Sequence, residues 1–210
     1  MTEIETIIAQ DLLTIGAVTL RPNEPFTWAS GIHSPIYTDN RLTISYPAVR
    51  TRIADGLAAL IKTQFPEVAV IGGVATAGIP HAALVADRLN LPMVYVRSKP
   101  KDHGQGRQIE GRLPAGAKMV LIDDLLSTGG SVLKAAAAAK REGADVIGVA
   151  AIFSYQLEAS TTNFAAAKIP FAPLTNYSAL IETAKHLDQI NDQELALLQA
   201  FRADPTHWQA

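Results

Sequence analysis

The sequence predicts an α/β fold built on a mainly parallel sheet, and three observations predict it. Short unbroken apolar runs recur: Val68–Ile71, Met93–Val96, Lys118–Ile122 and Val146–Phe153. Stretches of helical character lie between them, at His81–Leu89 and Val132–Arg141. Glycines or acidic residues punctuate the run ends, with Gly72-Gly73 after the first and Asp123-Asp124 after the third. Continuous apolar strands alternating with helices belong to a sheet covered on both faces. Ligands bind such sheets at the carboxyl ends of the strands. The segments after Ile71, Val96, Ile122 and Phe153 are therefore where a site is expected.

The remaining elements follow in chain order. Ile4, Ile7, Ile8, Leu12 and Ile15 have helical spacing, and Gly16 supplies a stop. Residues 21–47 are punctuated by Pro22, Pro25, Gly31, Pro35 and Pro47, which predicts short strands and turns. Residues 48–63 return to helix and end before Pro66. The Ala135–Ala139 run raises helix propensity, and Gly143 stops that helix. Two further helices are expected in the tail. The second opens at Asn191 with Glu194 three residues on, a capping-box pattern. The expected organisation is one domain over 1–210: an N-terminal helix and hood to about residue 47, a core over about 48–175, and C-terminal helices over about 176–210.

Composition narrows the class. The chain has 210 residues and is 48% hydrophobic, enough to bury a core. Lys+Arg number 18 against Asp+Glu 20, a net charge of −2, which argues against a general nucleic-acid binder. With no Cys, the chain forms no disulfide and has no thiolate nucleophile or ligand. The start, Met1-Thr2-Glu3-Ile4-Glu5, is acidic where a signal peptide would be basic. No apolar run nears the ~18 residues of a membrane helix. A cytoplasmic protein without membrane association is expected.

The third loop carries the most chemistry. Asp123-Asp124-Leu125-Leu126-Ser127-Thr128-Gly129-Gly130-Ser131 runs from a buried strand through two carboxylates into a hydroxyl- and glycine-rich turn at a helix start. Glycines let several N–H groups converge, and the helix end adds partial positive charge, so the turn suits a phosphate. Carboxylates beside it suit sugar hydroxyls, or a Mg²⁺ bound with the phosphate. The plainer alternative is an acidic strand end followed by an N-cap. The turn is neither a Walker loop nor a dinucleotide fingerprint, because neither spacing is present.

The second loop gathers cations: Arg97, Lys99, Lys101 and Arg107, with His103 among them. In a net-acidic chain such a Gly-punctuated run suits a lid that closes on a polyanion, although a solvated basic loop would look similar. Among the other histidines, His81 on its helix is expected to be structural, and His186 and His207 to lie at the surface. His33 either contacts ligand or shapes its turn. Trp208 is expected to anchor packing or to lie in a disordered end.

The segment Asp123–Ser131 resembles the phosphoribosyl-pyrophosphate signature of the type I phosphoribosyltransferases. Within them, Arg97 with Lys101-Asp102-His103-Gly104 and Ile109-Glu110-Gly111 resembles the catalytic loop of the orotate phosphoribosyltransferases. Phe26–Tyr37 resembles their hood, and Ile71–Pro80 their pyrophosphate loop. Where another branch carries cations in the hood, after the lid Arg and after the fourth strand, this chain has Ala29, Ser98 and Tyr155.

The resemblance implies a type I phosphoribosyltransferase fold. It also implies transfer of phosphoribose from phosphoribosyl pyrophosphate to orotate in pyrimidine synthesis, with Mg²⁺ held mainly by substrate and water rather than by side chains. Lys101, His103, Asp123 and Asp124 would be catalytic. Arg97, Lys101, His103, Ala75, Thr76 and the whole of Asp123, Asp124, Leu125, Leu126, Ser127, Thr128, Gly129, Gly130 and Ser131 would bind phosphoribosyl pyrophosphate. Ser127 and Arg41 would meet orotate. The lid would complete the neighbouring subunit's site in a homodimer.

Two other functions compete with this one. A purine or uracil transferase would lack Lys-Asp-His-Gly in the lid. A non-catalytic regulator would lose lid cations or carry a DNA-binding domain, for which the ~20 residues before the hood are too few.

Overall fold

The computed structural model describes residues 2–27, 33–100 and 107–208. In chain order the elements are α1 (Glu3–Thr14), β1 (Val18–Leu20), β2 (Phe26–Thr27), β3 (His33–Ser34), β4 (Ile36–Thr38), a 3₁₀ turn (Asn40–Ser45), α2 (Pro47–Gln64), β5 (Val70–Val74), α3 (Gly78–Leu89) and β6 (Met93–Val96). They continue with β7 (Ile109–Glu110), β8 (Lys118–Leu126), α4 (Gly130–Arg141), β9 (Asp145–Ser154), α5 (Glu158–Ala167), β10 (Phe171–Asn176), α6 (Tyr177–His186) and α7 (Asp192–Ala203). Among these residues no helix is long and apolar enough to cross a membrane.

Six strands form the central sheet in the order β10-β9-β8-β5-β6-β7, all parallel except β7. From β5 the chain steps outward to β6, then crosses back to β8 and continues to β9 and β10. The winding therefore reverses between β5 and β8. At such a switch point the loops at the carboxyl ends diverge and leave a crevice.

Both faces of the sheet are buried, and side chains alternate between them. Val120 and Ile122 of β8 join Ala150 and Ile152 of β9 against helices α1, α2 and α3. Met119 and Leu121 join Val149 and Ala151 against the alanine face of α4 and Phe164 of α5. This two-sided burial is why the strands read as unbroken apolar runs.

Local signals set the helix ends. A capping box joins Thr2 to Glu5 at α1, and another joins Asn191 to Glu194 at α7 as the spacing predicts. Pro47 opens α2 at its first turn. Trp208 is an anchor: Nε1 donates to the Leu197 carbonyl at 2.9 Å, and the ring meets Phe201 edge-on.

The structure shifts several boundaries. The first run is a strand over Val70–Val74, so Gly72 and Gly73 lie inside it rather than ending it. A Cβ on Gly72 would come within 2.7 Å of Leu121, and one on Gly73 within 2.9 Å of Ile79. Glycine is required there by close packing, not by a turn. Likewise β8 continues through Asp123 and Asp124 to Leu126, paired with β9 up to Leu126↔Ser154. Helix α3 begins at Gly78, where a Cβ would lie 2.2 Å from the Ile122 carbonyl oxygen. Strand β10 forms one edge of the sheet and α5 packs beside α4, and neither element is marked by the sequence pattern.

Candidate active site

Register brings the carboxyl ends of three strands side by side. Gly73 pairs with Ile122, and Val74 with Val96. Ala75 and Arg97 follow directly on the Val74↔Val96 pair, and Asp124 lies two residues past Ile122, where pairing of β8 with β5 ends. The Ala75 N–H donates to the Val96 carbonyl at 3.0 Å, which closes β5 against β6 at this point. The Ala75–Thr76 peptide bond is cis. A cleft of about 320 Å³ opens here, lined by Ala75, Arg97, Ser98, Gly130, Ser131 and Lys134 among others.

The acidic pair sits at the end of β8. Asp123 is 8% exposed and Asp124 is half-buried. The Asp124 N–H donates to Asp123 Oδ1 at 2.9 Å. Burial, and then the neighbouring charge of Asp124, pushes Asp123 up to about 7. Burial also raises Asp124. Two carboxylates kept in a dry site against their own repulsion form a strained arrangement that hydroxyl donors or cations would relieve.

Beyond the pair, Ser127 is half-buried, Thr128 and Ser131 are exposed, and Gly129 is buried. Leu126 is buried in the core and its carbonyl accepts the Tyr155 N–H, whereas Leu125 is only partly buried. Gly129 adopts φ 77 and caps α4. A Cβ on it would reach 2.6 Å from Phe164 Cε2. Gly129 thus meets two demands at once: a left-handed conformation and close approach to a ring. The turn leads directly into the N-terminus of α4, a ready anion site. Asn163 Nδ2 donates to the Thr128 carbonyl at 2.9 Å and steadies the turn from α5.

The basic segment after β6 is anchored at its base. Strands β6 and β7 pair antiparallel, Val96↔Ile109. Arg97 and Gln108 bond through main chain and side chain at 2.8 and 2.7 Å. Glu142, just past α4, accepts from the N–H groups of Gln108 and Ile109 at 2.6 and 3.2 Å. Arg97 lies 3.9 Å from Glu110. Lys101, His103 and the hood residue Ala29 lie outside the described residues.

The hood packs across the ends of β8 and β9. Arg41 grips Asp39 with two nitrogens at 2.6 and 2.7 Å, and that pairing holds its proton more firmly. Asp124 is close enough to Arg41 to be lowered by its charge, against the larger effect of burial. Tyr155 donates to Thr38 Oγ1 at 3.0 Å. Asn40 Nδ2 donates to the Asp124 carbonyl at 2.7 Å.

His81 is structural, fully buried and pushed down to about 4 by burial. His186 and His207 are exposed and bond only locally, and His33 is exposed in β3. Asn40, Asn163 and Glu142 were missed in the sequence. Asn40 and Asn163 each act through one side-chain bond to a distant main-chain group and Glu142 through two, and no local pattern marks such bonds. Lys134 had a weak signal, falling one helical turn after Gly130.

Known proteins agree with this geometry. The phosphoribosyl transferase domain family model matches residues 45–163. The chain is 65% identical to an orotate phosphoribosyltransferase of Lactiplantibacillus plantarum, over 99% of this chain and 98% of that protein. It is 64% identical to the Enterococcus faecalis enzyme of the same name, over 99% of each. The crystal structure of the Aeropyrum pernix orotate phosphoribosyltransferase superposes with a TM-score of 0.75 at 27% identity, covering 88% of this chain and 99% of that one. With an acidic strand end and a glycine turn beside one switch point, and with relatives this close over 99% of its length, the chain belongs to the orotate phosphoribosyltransferases.

Proposed function

We propose that the chain transfers the 5-phosphoribosyl group from phosphoribosyl pyrophosphate to orotate in pyrimidine nucleotide synthesis, giving orotidine 5′-monophosphate and pyrophosphate. The observation that carries this reading is the cleft in which Arg97 and Ala75, at the ends of β6 and β5, face Gly130 and Ser131 at the start of α4, with the acidic pair closing the adjacent strand β8.

The bond from the anomeric carbon to the pyrophosphate oxygen breaks, and a bond to the orotate ring nitrogen forms. The sugar passes through an oxocarbenium-like state. The chain's task is to hold the sugar still and to stabilise charge on the departing group. N–H groups of Ser127–Ser131 and the α4 N-terminus hold the 5′-phosphate. Asp123 and Asp124 accept hydrogen bonds from the ribose hydroxyls, which relieves their enforced proximity. Arg97, Lys101 and His103, with the 75–76 loop, meet the pyrophosphate. Orotate is assigned to Ser127 and the hood, with Arg41 as the nearby cation.

Mg²⁺ fits this donor set, since it takes most of its oxygen ligands from phosphates and water. When bound with substrate it would supply further positive charge to the pyrophosphate. We also assign the lid to the partner's site in a homodimer. Both substrates are soluble metabolites, which supports a cytoplasmic enzyme.

The test is an absorbance assay of orotate with phosphoribosyl pyrophosphate and Mg²⁺, run in parallel with uracil and purine bases. Orotate consumption dependent on both additions is expected. Turnover of uracil or hypoxanthine with orotate untouched would overturn the assignment.

A further inference from the structure

Asn40 opens the 3₁₀ turn of the hood and is fully buried. Its side chain crosses to the end of β8, where Nδ2 donates to the main-chain carbonyl of Asp124 at 2.7 Å. A carbonyl only accepts, so the amide must present its nitrogen there. Among the described residues its Oδ1 accepts no hydrogen bond. A buried amide left half-matched is unfavourable, so packing alone does not account for it.

The turn is fixed from behind. Thr43 is buried and its Oγ1 donates to the Asn40 carbonyl at 2.6 Å. That hydroxyl's lone pairs then face His81 Nε2 at 3.4 Å, so Nε2 carries the proton of a neutral imidazole. A continuous path runs from α3 through His81, Thr43 and Asn40 to Asp124.

Asp124 needs such a restraint. Pairing of β8 with β5 stops at Gly73↔Ile122, so Asp124 lies past its last partner on that side. It stands next to a second buried carboxylate, and the two repel. Left free, the end of β8 would relieve the repulsion by turning Asp124 toward water.

We infer that Asn40 is a positioning residue: by holding the Asp124 carbonyl, it keeps the paired carboxylates aimed at the ribose hydroxyls of phosphoribosyl pyrophosphate. This rests on the ribose-facing reading of the pair given above.

The experiment uses full-length Asn40→Ala and Asn40→Asp proteins. Steady-state kinetics give KM for each substrate, calorimetry gives binding of phosphoribosyl pyrophosphate alone, and thermal melting reports folding. Asn40→Ala is expected to weaken phosphoribosyl pyrophosphate about tenfold in both KM and calorimetric Kd, the effect of about one hydrogen bond. KM for orotate should stay within about twofold. Asn40→Asp should lose more, because a third carboxylate then faces a carbonyl oxygen.

Unchanged phosphoribosyl pyrophosphate affinity in a folded Asn40→Ala protein would overturn the inference. So would equal rises in both KM values. Should that variant not fold, Thr43→Val decides: it keeps Asn40 but removes the hydroxyl behind it, and a loss of about two- to fivefold confined to phosphoribosyl pyrophosphate is expected. No loss would overturn the inference. A wild-type protein that binds phosphoribosyl pyrophosphate but ignores orotate would overturn the substrate assignment and leave the calorimetric comparison decisive for Asn40.

Discussion

The main-chain N–H of Asp124 donates to Oδ1 of Asp123 at 2.9 Å, so the first carboxylate of the pair is held by the backbone of the second residue. That bond favours the ionised form of Asp123, but burial and the Asp124 charge outweigh it and push the group up to about 7. The ordinary carboxylate value is 3.8. Between these two pH values the folded, ligand-free protein keeps a proton that the unfolded chain has released. The contribution of Asp123 to stability therefore falls as pH rises from about 4 to 7 and levels off above that. Asp123→Asn keeps an oxygen that can accept the Asp124 N–H and removes the buried charge. At pH 8 it should be more stable than wild type by about 1–3 kcal/mol, a rise in Tm of several degrees, while turnover drops at least tenfold. Melting curves at pH 5 and pH 8 with paired activity assays check this. A Tm at pH 8 no higher than wild type would show that the pair is not strained.

Gly129→Ala adds two separable penalties. The residue has φ 77, which costs a side-chain-bearing residue about 1–2 kcal/mol. Its new methyl would also sit 2.6 Å from the Phe164 ring, which stacks on Phe171. A total loss of about 2–4 kcal/mol is expected, with activity lost as the phosphate turn is displaced. In the double variant Gly129→Ala/Phe164→Leu the clash is relieved and the backbone term remains. A double-mutant cycle by urea unfolding should show favourable coupling, and strict additivity would mean that the ring does not limit the turn.

Glu142 ties the lid stem to the end of α4 through two main-chain N–H groups. It lies away from the acidic pair, so its loss should act through lid position rather than through the fold. Glu142→Ala should cut kcat several-fold with less than about 1 kcal/mol lost in stability, whereas Glu142→Gln, whose carbonyl oxygen still accepts, should retain most activity. If both variants were as active as wild type, the stem would be fixed by Arg97 and Gln108 alone.

What was legible in the sequence follows from what each feature depends on. The strands β6, β8 and β9 were readable because burial on both faces demands unbroken apolar runs. The phosphate turn was readable because its conformation and its chemistry both need small residues in order. Gly72 and Gly73 misled, because a glycine that makes room for Leu121 and Ile79 looks the same in sequence as one that ends a strand. Strand β10, Phe171–Asn176, has no unbroken apolar run to mark it, because it is an edge strand carrying Pro173 and ending in Thr175 and Asn176. The strand's continuation through Asp123 and Asp124 was hidden because charged residues look like an end until β9 is seen to pair beyond them. Asn40 and Asn163 could not be found locally, since each bonds to main chain far along the sequence.

The lid supplies the last test. Its stem is fixed at Val96↔Ile109, and Lys101 belongs to the segment beyond that stem. A lysine that meets pyrophosphate chiefly as negative charge accumulates on it contributes mostly in the transition state. Lys101→Ala should therefore lower kcat by at least tenfold with a smaller change in KM. If the lid completes the neighbouring subunit's site, two inactive proteins can complement one another. Mixing Lys101→Ala with Asp123→Asn/Asp124→Asn and allowing subunit exchange gives dimers of which about half are mixed. Each mixed dimer has one site carrying both defects and one carrying neither, so activity should return to about one quarter of wild type. Exchange is verified independently by mass-tagged subunits. A mixture that stays inactive after verified exchange would show that each lid serves its own chain, and the shared-site assignment would fall.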